Sequence, residues 1–392
     1  MKEKKGVLAA LGKYTSPGFV LMSVMIGGGF ATGREIVQYG GQYGAKGWIV
    51  GVTIALMFSV LCMISFEIAR KFKAYDYRSH LKLYAGPLAV LFDIVFFTIS
   101  LLIMSVMASA TGTILETAMH VPYDAGVVVI IIISALLTFF GQKLVEKFAV
   151  GGAIALYVGY IVFAILAISG RVDNIVRVFQ TGDTSYVGGS TGVLSLIWVG
   201  LLYVGYNVQP LTTVFFTCEK LKTRRDALIS GFVAGFIIFI PWALTYLALM
   251  AFYPAEAVLG AGVPWLVMMM NVHPVIVAVF GIIAGWTLIA TTVGVMNAMT
   301  GRIDKQLEEK GRPPLRSGVR ALITIAYLIG AVLMSRFGII AIIDKGYTIM
   351  SYGLIISFIL PLITVGLYKA FFKKETPVKQ SETGAVSVLP KA

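Results

Sequence analysis

The stretch Met25-Ile-Gly-Gly-Gly-Phe-Ala-Thr-Gly-Arg-Glu35 lies inside the first long apolar segment of the chain. It places Gly27, Gly28 and Gly29 in a row, adds a fourth glycine at 33 and ends on an adjacent Arg34–Glu35 pair. Each Gly weakens a helix by roughly 1 kcal/mol against Ala. A charge at mid-bilayer depth costs several kcal/mol more unless it faces protein or water. A lipid-facing helix has no use for either. A broken helix with charge at membrane depth implies a cavity, and a cavity in a helical bundle usually serves transport.

The rest of the composition agrees. The 392 residues are 58% hydrophobic and 13% charged, with a mean hydropathy of +0.87. That excludes an ordinary soluble domain and places the chain among polytopic membrane proteins. About ten apolar spans are long enough to cross a bilayer, at 16–43, 47–69, 87–116, 124–141, 148–170, 191–217, 227–252, 274–300, 318–336 and 346–370. The net charge of +13 is explained by topology rather than by nucleic acid. With the N-terminus inside, 26 of the 32 Lys and Arg fall on cytoplasmic segments, five on outer ones, and Arg34 lies in the membrane. This is the positive-inside asymmetry, and it supports ten spans with both termini cytoplasmic. The Lys-rich start lacks a convincing cleavage site, so it reads as part of the mature first helix. Cys62 and Cys218 imply no disulfide framework, and the three scattered histidines form no visible metal cluster. Residues 1–374 read as one membrane domain and 375–392 as a disordered cytoplasmic tail.

The sixth span carries a second interruption: Trp198-Val-Gly-Leu-Leu-Tyr-Val-Gly-Tyr-Asn-Val-Gln-Pro-Leu-Thr-Thr213. Gly205, Asn207, Gln209 and Pro210 do not continue a lipid-facing helix comfortably. Spans one and six are five helices apart, which are corresponding positions in two five-helix halves. Because five is odd, the halves begin on opposite sides of the membrane. Paired interruptions in such an inverted repeat are the best sequence-level pointer to a transporter binding site. No residue-level identity between the halves supports the repeat; it is read from hydropathy and break position. The outer connection 253–273 is apolar around Trp265 and Met268 to Met270, so it packs on protein, either as a partly helical lid or as an ordinary buried loop.

Several residues carry candidate chemistry. Unwinding at Gly27 to Gly29 frees N–H groups for an anionic group and carbonyls for a cation; the competing reading is close helix packing through small residues. Arg34 and Glu35 lie one to two turns beyond the break. They are either an interfacial pair or an outer gate with Glu35 as a counter-charge or proton carrier. Thr291 and Thr292 offer adjacent hydroxyls in mid-span eight, suited to a hard cation, or else hydroxyls bonded back to their own helix. Tyr203, Tyr206 and Asn207 flank the second break and fit a pocket with aromatic walls. Asp344 reads as a solvated loop charge or the partner of Arg34, and Asp93 as structural.

These motifs resemble the amino acid–polyamine–organocation superfamily with its leucine-transporter-like fold. The Gly-Gly-Gly-Phe-Ala-Thr-Gly-Arg-Glu run looks most like the YkvI-like bacterial membrane proteins, and the resemblance covers roughly residues 10–372. It implies an unwound first helix at Gly27 to Gly29. It also implies a sixth-helix break at Gly205-Tyr206-Asn207, followed by Cys218-Glu219-Lys220 and Arg224-Arg225. Members with a sodium site use first-helix carbonyls and eighth-helix hydroxyls, which map to Val24, Gly27, Thr291 and Thr292. An outer Arg of helix one paired with an acid of helix ten maps to Arg34 and Asp344. The chain departs from the pattern in three places. Asn207 stands where many amino acid permeases have Glu. Ala31 or Thr32 stands near a first-helix Asn that serves a further sodium ion. No acid occupies the first half of helix one, which argues against an amine contact there.

The expectation is an all-α membrane protein with a five-plus-five inverted repeat and discontinuous helices one and six. It acts as a sodium-coupled symporter of a small organic solute, an amino acid or related zwitterion, with no cofactor beyond the coupling ion. Proton coupling, a passive channel and a sensor on the same scaffold are the alternatives. The chain contains no P-loop and no catalytic constellation, so an enzyme is not expected.

Overall fold

The computed structural model describes residues 2–25, 27–140, 155, 157–188, 191–270 and 272–373. The tail from 375 onward and the inner charges Lys143 and Lys147 lie outside the described residues. Among those described, the chain is helical and contains no strand. Seven helices are long and apolar enough to cross a bilayer, and two shorter apolar ones accompany them.

The first span is made of three helices, α1 (Lys2–Met25), α2 (Gly28–Thr32) and α3 (Arg34–Gln38). The second is α4 (Gly47–Phe72), and a short amphipathic α5 (Tyr77–Lys82) leads to α6 (Leu88–Met119). Then come α7 (Tyr123–Phe140) and α8 (Tyr157–Ile168). The connection that follows begins with a helix, α9 (Val172–Thr181). Its Asn174 amide donates to the carbonyls of Met250 at 3.0 Å and Tyr253 at 2.9 Å, which ties it to the outer end of the seventh span.

The second half runs through α10 (Val193–Tyr206), α11 (Arg224–Met250), the lid helices α12 (Glu256–Leu259) and α13 (Pro264–Met270), α14 (Pro274–Glu309), α15 (Ser317–Ser335) and α16 (Ile339–Phe371). The lid takes the helical form of the two readings. Helix α14 continues through Glu309, well past the expected end at 300, so part of the basic 301–317 connection is helical. Helix α16 contains π-type turns at Ile342–Tyr347, Ile355–Ile359 and Leu362–Gly366.

Two groups of helices pack among themselves. One comprises α1, α4, α10 and α11; the other α6, α7, α14 and α15; α16 touches α10 and α6. Small residues set the closest approach. Gly231 and Gly235 of α11 lie against the α4 backbone around Met63 and Ser59, where any Cβ would overlap. The inner end of α11 starts on a capping box, with Thr223 Oγ1 accepting from the Asp226 N–H at 3.1 Å and Asp226 Oδ2 accepting from the Thr223 N–H at 3.0 Å. Asp226 also holds α1, through Lys13 Nζ at 2.6 Å and the Tyr14 hydroxyl at 2.9 Å. Apolar residues such as Leu322, Leu333 and Val90 project outward, as a lipid-facing surface requires.

Candidate solute and ion site

The first break is built by its glycines. Helix α1 stops at Met25, so Val24 sits in a last turn whose carbonyls have no helical donor four residues on. Gly27 is extended, at φ −112° and ψ −151°, and its carbonyl accepts from the Ala31 N–H at 3.0 Å to start α2. One turn later Gly33 takes φ +79°, a left-handed conformation natural to glycine. A Cβ there would also stand 2.8 Å from Trp265 Cδ1 of the lid. The chain therefore turns twice, and Arg34 and Glu35 both follow the second turn, at the start of α3.

Arg34 points to the lid. Its guanidinium donates to the Leu259 carbonyl, to the Ala261 carbonyl at 3.4 Å and to Gln38 Oε1 at 3.5 Å. Gln38 Nε2 donates to Asp344 Oδ1 at 2.7 Å. Arg34 and Asp344 thus share Gln38 as an intermediary and form no direct ion pair.

Glu35 points the other way. The residue expected one to two turns beyond the break folds back onto it, because Gly33 reverses the chain. Its carboxylate packs so tightly on Gly29 that a Cβ at that position would overlap it. The Tyr206 hydroxyl donates to Glu35 Oε2 at 2.7 Å, with both residues buried. This bond joins the first interrupted span to the sixth.

The sixth span breaks later than its sequence implied. Helix α10 runs unbroken through Gly205 and ends at Asn207; tight turns at Gln209–Thr213 and Phe215–Lys220 follow. Gly205 serves packing instead, since a Cβ on it would stand 3.0 Å from Ser351 Cβ and 3.2 Å from Ile355 Cγ1 of α16. The Asn207 amide donates to the Tyr203 carbonyl at 3.1 Å, which caps α10. Gln209 Oε1 is buried without a hydrogen-bond partner.

The eighth span meets the first break at one point. A Cβ on Gly27 would stand 2.7 Å from Thr291 Oγ1, so the extended glycine lies directly on that hydroxyl. Thr291 Oγ1 donates to the Thr287 carbonyl at 2.8 Å and Thr292 Oγ1 to that of Leu288 at 2.9 Å. These bonds use the hydroxyl protons and leave oxygen lone pairs, which is what a hard cation requires.

Around Glu35 stands a cluster of tyrosines. The Tyr39 ring lies 5.7 Å from that of Tyr203 and 5.4 Å from that of Tyr206; Tyr203 and Tyr206 are 5.4 Å apart, and Tyr206 and Tyr347 4.9 Å. The Tyr203 and Tyr347 hydroxyls are buried without a hydrogen-bond partner. Tyr39, Tyr347 and Gln38 escaped the sequence reading because α3 and α16 meet them from opposite ends of the chain.

Arg302, read as one of the charges outside the apolar spans, is buried. Its Nη1 lies 2.8 Å from Asp93 Oδ1 and its Nη2 donates to Thr212 Oγ1 at 3.2 Å. Its guanidinium sits 3.7 Å from the Phe96 ring centre and 3.9 Å from that of Tyr77.

This architecture has known counterparts. A Na+-coupled sialic acid symporter, in a substrate-bound outward-open state, superposes with a TM-score of 0.62 over 90% of this chain and 89% of its own, at 12% identity. MhsT in complex with L-phenylalanine gives 0.61 over 91% and 89%, at 14% identity. The chain has the leucine-transporter-like fold. In sequence it is 26% identical over 144 residues to the uncharacterized membrane protein YkvI of Bacillus subtilis (strain 168), a match spanning 36% of this chain and 40% of that protein. No family model matches the chain.

Proposed function

We propose that this chain is a secondary active transporter that moves a small organic solute by alternating access, with sodium as the coupling ion. The observation that carries the reading is the Tyr206–Glu35 bond at 2.7 Å, which joins two interrupted spans across a buried centre. Gly27 lying on Thr291 supports an ion site made of first-span carbonyls near Val24 and Gly27 with the hydroxyls of Thr291 and Thr292. The solute occupies the space between Gly27–Gly29 and the Tyr203–Asn207 turn, and Arg34 with Gln38 and Asp344 closes the outer side. The shared fold with a Na+-coupled sialic acid symporter and with MhsT, seen in complex with L-phenylalanine, favours sodium and an amino acid or related zwitterion.

A second reading, proton coupling, is favoured by Glu35 itself, a buried carboxylate whose recorded bond is to a phenol and not to a cation. Uptake into proteoliposomes under an imposed sodium or proton gradient separates the two. Sodium-driven accumulation lost in Thr292→Val supports the first. Accumulation insensitive to sodium and lost in Glu35→Gln supports the second. No accumulation of any solute under either gradient sinks both.

A further inference from the structure

Helix α9 divides its surface among three surroundings. At 3.6 residues per turn, or about 100° per residue, its positions fall into three sectors. One faces protein: Val178 is fully buried, and the Asn174 amide holds the carbonyls of Met250 and Tyr253. A second is exposed and polar, with Asp173, Arg177, Gln180 and Thr181. The third is exposed and apolar. Val172, Val176 and Phe179 lie on it, within about 60° of one another. Single exposed apolar residues are ordinary on any protein surface. Three on one side of a helix, next to a polar side that is equally exposed, call for two different media.

The neighbours of α9 set its level. Only Ser169, Gly170 and Arg171 separate it from the end of the apolar helix α8 at Ile168, and Gly170 turns the chain there at φ +74°. Exposed apolar positions run on from Ile161 and Ile165 in α8 to 172, 176 and 179 in α9, and resume with Val193 and Leu194 at the start of α10. At its other end, the Asp183 carbonyl accepts from the Ala45 N–H at 2.9 Å. Three residues further on, in the first turn of α4, Trp48 is 53% exposed. Indole rings on the outside of membrane proteins gather at headgroup level. Both ends of α9 are therefore tied to the rim of the lipid-facing surface.

Charge does not account for the placement. Within α9, Asp173 and Arg177 cancel, and Arg177 is committed to Asp183 Oδ2 at 2.9 Å and to the Tyr253 carbonyl at 3.1 Å. An apolar stripe without net positive charge suits the boundary of headgroups and acyl chains, whatever the headgroup charge.

We propose that α9 is an interfacial helix, lying in the plane of the bilayer with Val172, Val176 and Phe179 sunk into the lipid. The partner of this face is the lipid surface itself. The inference does not depend on whether the chain transports anything.

The test is a nitroxide scan of positions 172–181 in the full chain, one cysteine at a time, in vesicles of phosphatidylcholine with and without phosphatidylglycerol. Both native cysteines are buried, so the added thiol takes the label. Dissolved oxygen reports acyl chains and a neutral nickel chelate reports water. Collision with oxygen should peak at 172, 176 and 179, with those labels roughly 5–10 Å below the phosphates. Collision with nickel should peak at 173 and 180, and the pattern should be the same in both lipid mixtures. Phe179 packs on Tyr246 with ring centres 6.3 Å apart, so if its variant fails to fold, 172 and 176 decide alone.

Nickel access at 172 and 176 equal to that at 173 and 180 overturns the proposal, because the stripe then faces water. So does exclusion of both reagents with dipolar broadening between labels, which puts a second copy of the chain on the stripe. Oxygen peaks that appear only with phosphatidylglycerol overturn it as well, since headgroup charge would then hold the helix.

Discussion

Replacing Gly29 by Ala sets two physical terms against each other, and the structure decides which wins. Gly29 lies inside α2, where Ala is the better helix former by roughly 1 kcal/mol. By propensity alone Gly29→Ala stabilises. The new methyl, however, falls where the Glu35 carboxylate now lies, and backbone on the α2 side leaves the carboxylate as the group that must move. Movement breaks the bond from Tyr206, and hydrogen bonds to charged groups are worth about 1.5–3 kcal/mol. The net is destabilisation by about 0.5–2 kcal/mol. In a Glu35→Ala background nothing obstructs the methyl, so the same substitution should stabilise by about 1 kcal/mol. The assay is the thermal midpoint of the four proteins of the cycle in detergent, at one fixed scan rate because unfolding of such chains is irreversible. The sign of the Gly29→Ala effect should reverse between backgrounds. Equal effects in both would refute the claim that Glu35 folds back onto the break.

Two further outcomes follow from the packing. His80 of α5 is buried, donates from Nε2 to the Ser65 carbonyl at 3.0 Å, has Nδ1 3.2 Å from Tyr84 Oη, and stacks on Phe215 with ring centres 3.8 Å apart. Burial pulls its pKa down to about 4, against the opposing pull of the Ser65 bond. The unfolded chain therefore binds a proton that the folded one refuses between about pH 6.5 and 4. Stability should be full above that window and fall by about 3 kcal/mol as pH drops through it. A pH series of midpoints that is no flatter in His80→Gln would contradict this. Gly205→Ala should stay within about 1 kcal/mol of the parent, because helix propensity offsets mild crowding on Ser351. Gly205→Leu should cost about 1–3 kcal/mol by overpacking α10 against α16, and denaturation midpoints separate the two.

The first span was legible because three adjacent glycines exceed what close packing needs; the break falls at Gly27, while Gly28 and Gly29, read as unwound with it, start helix α2. The apolar spans likewise carried the helix order. The sixth break was displaced because a glycine inside an apolar run has two uses that look alike in sequence. Gly205 is a contact point for α16, which no local pattern around it reveals; the helix ends where Asn207 caps it and Pro210 removes a donor. Glu35 was assigned to the outer side because counting turns from Gly29 assumes a straight helix, whereas Gly33 turns the chain at φ +79° with Trp265, 232 residues away in the chain (265 − 33), packed against it. Arg302 was invisible for the same kind of reason. Just past an apolar run, an Arg that reaches Asp93 and one that reaches water read identically.

The Arg302 cluster makes a sharper statement about how the inner face opens. Asp93 belongs to α6 and Arg302 to α14, two helices of the same packed group, whereas Thr212 follows α10 in the other group. If the groups move as bodies, the ion pair survives opening and only the bond to Thr212 is lost from this set. That bond is long, at 3.2 Å, so the low end of the range for charged donors applies, about 1.5 kcal/mol, or roughly tenfold in the opening equilibrium. Thr212→Val should therefore speed maleimide labelling of a cysteine placed at the buried Gln209 by roughly tenfold, with little change in thermal midpoint. Arg302→Ala instead leaves Asp93 without its cation. It should cost about 3–5 kcal/mol of stability, a loss the midpoint registers directly. Were Thr212→Val to leave labelling at 209 unchanged while Arg302→Ala accelerated it without loss of stability, the ion pair itself would be the part that breaks. The division into two moving groups would then be drawn in the wrong place.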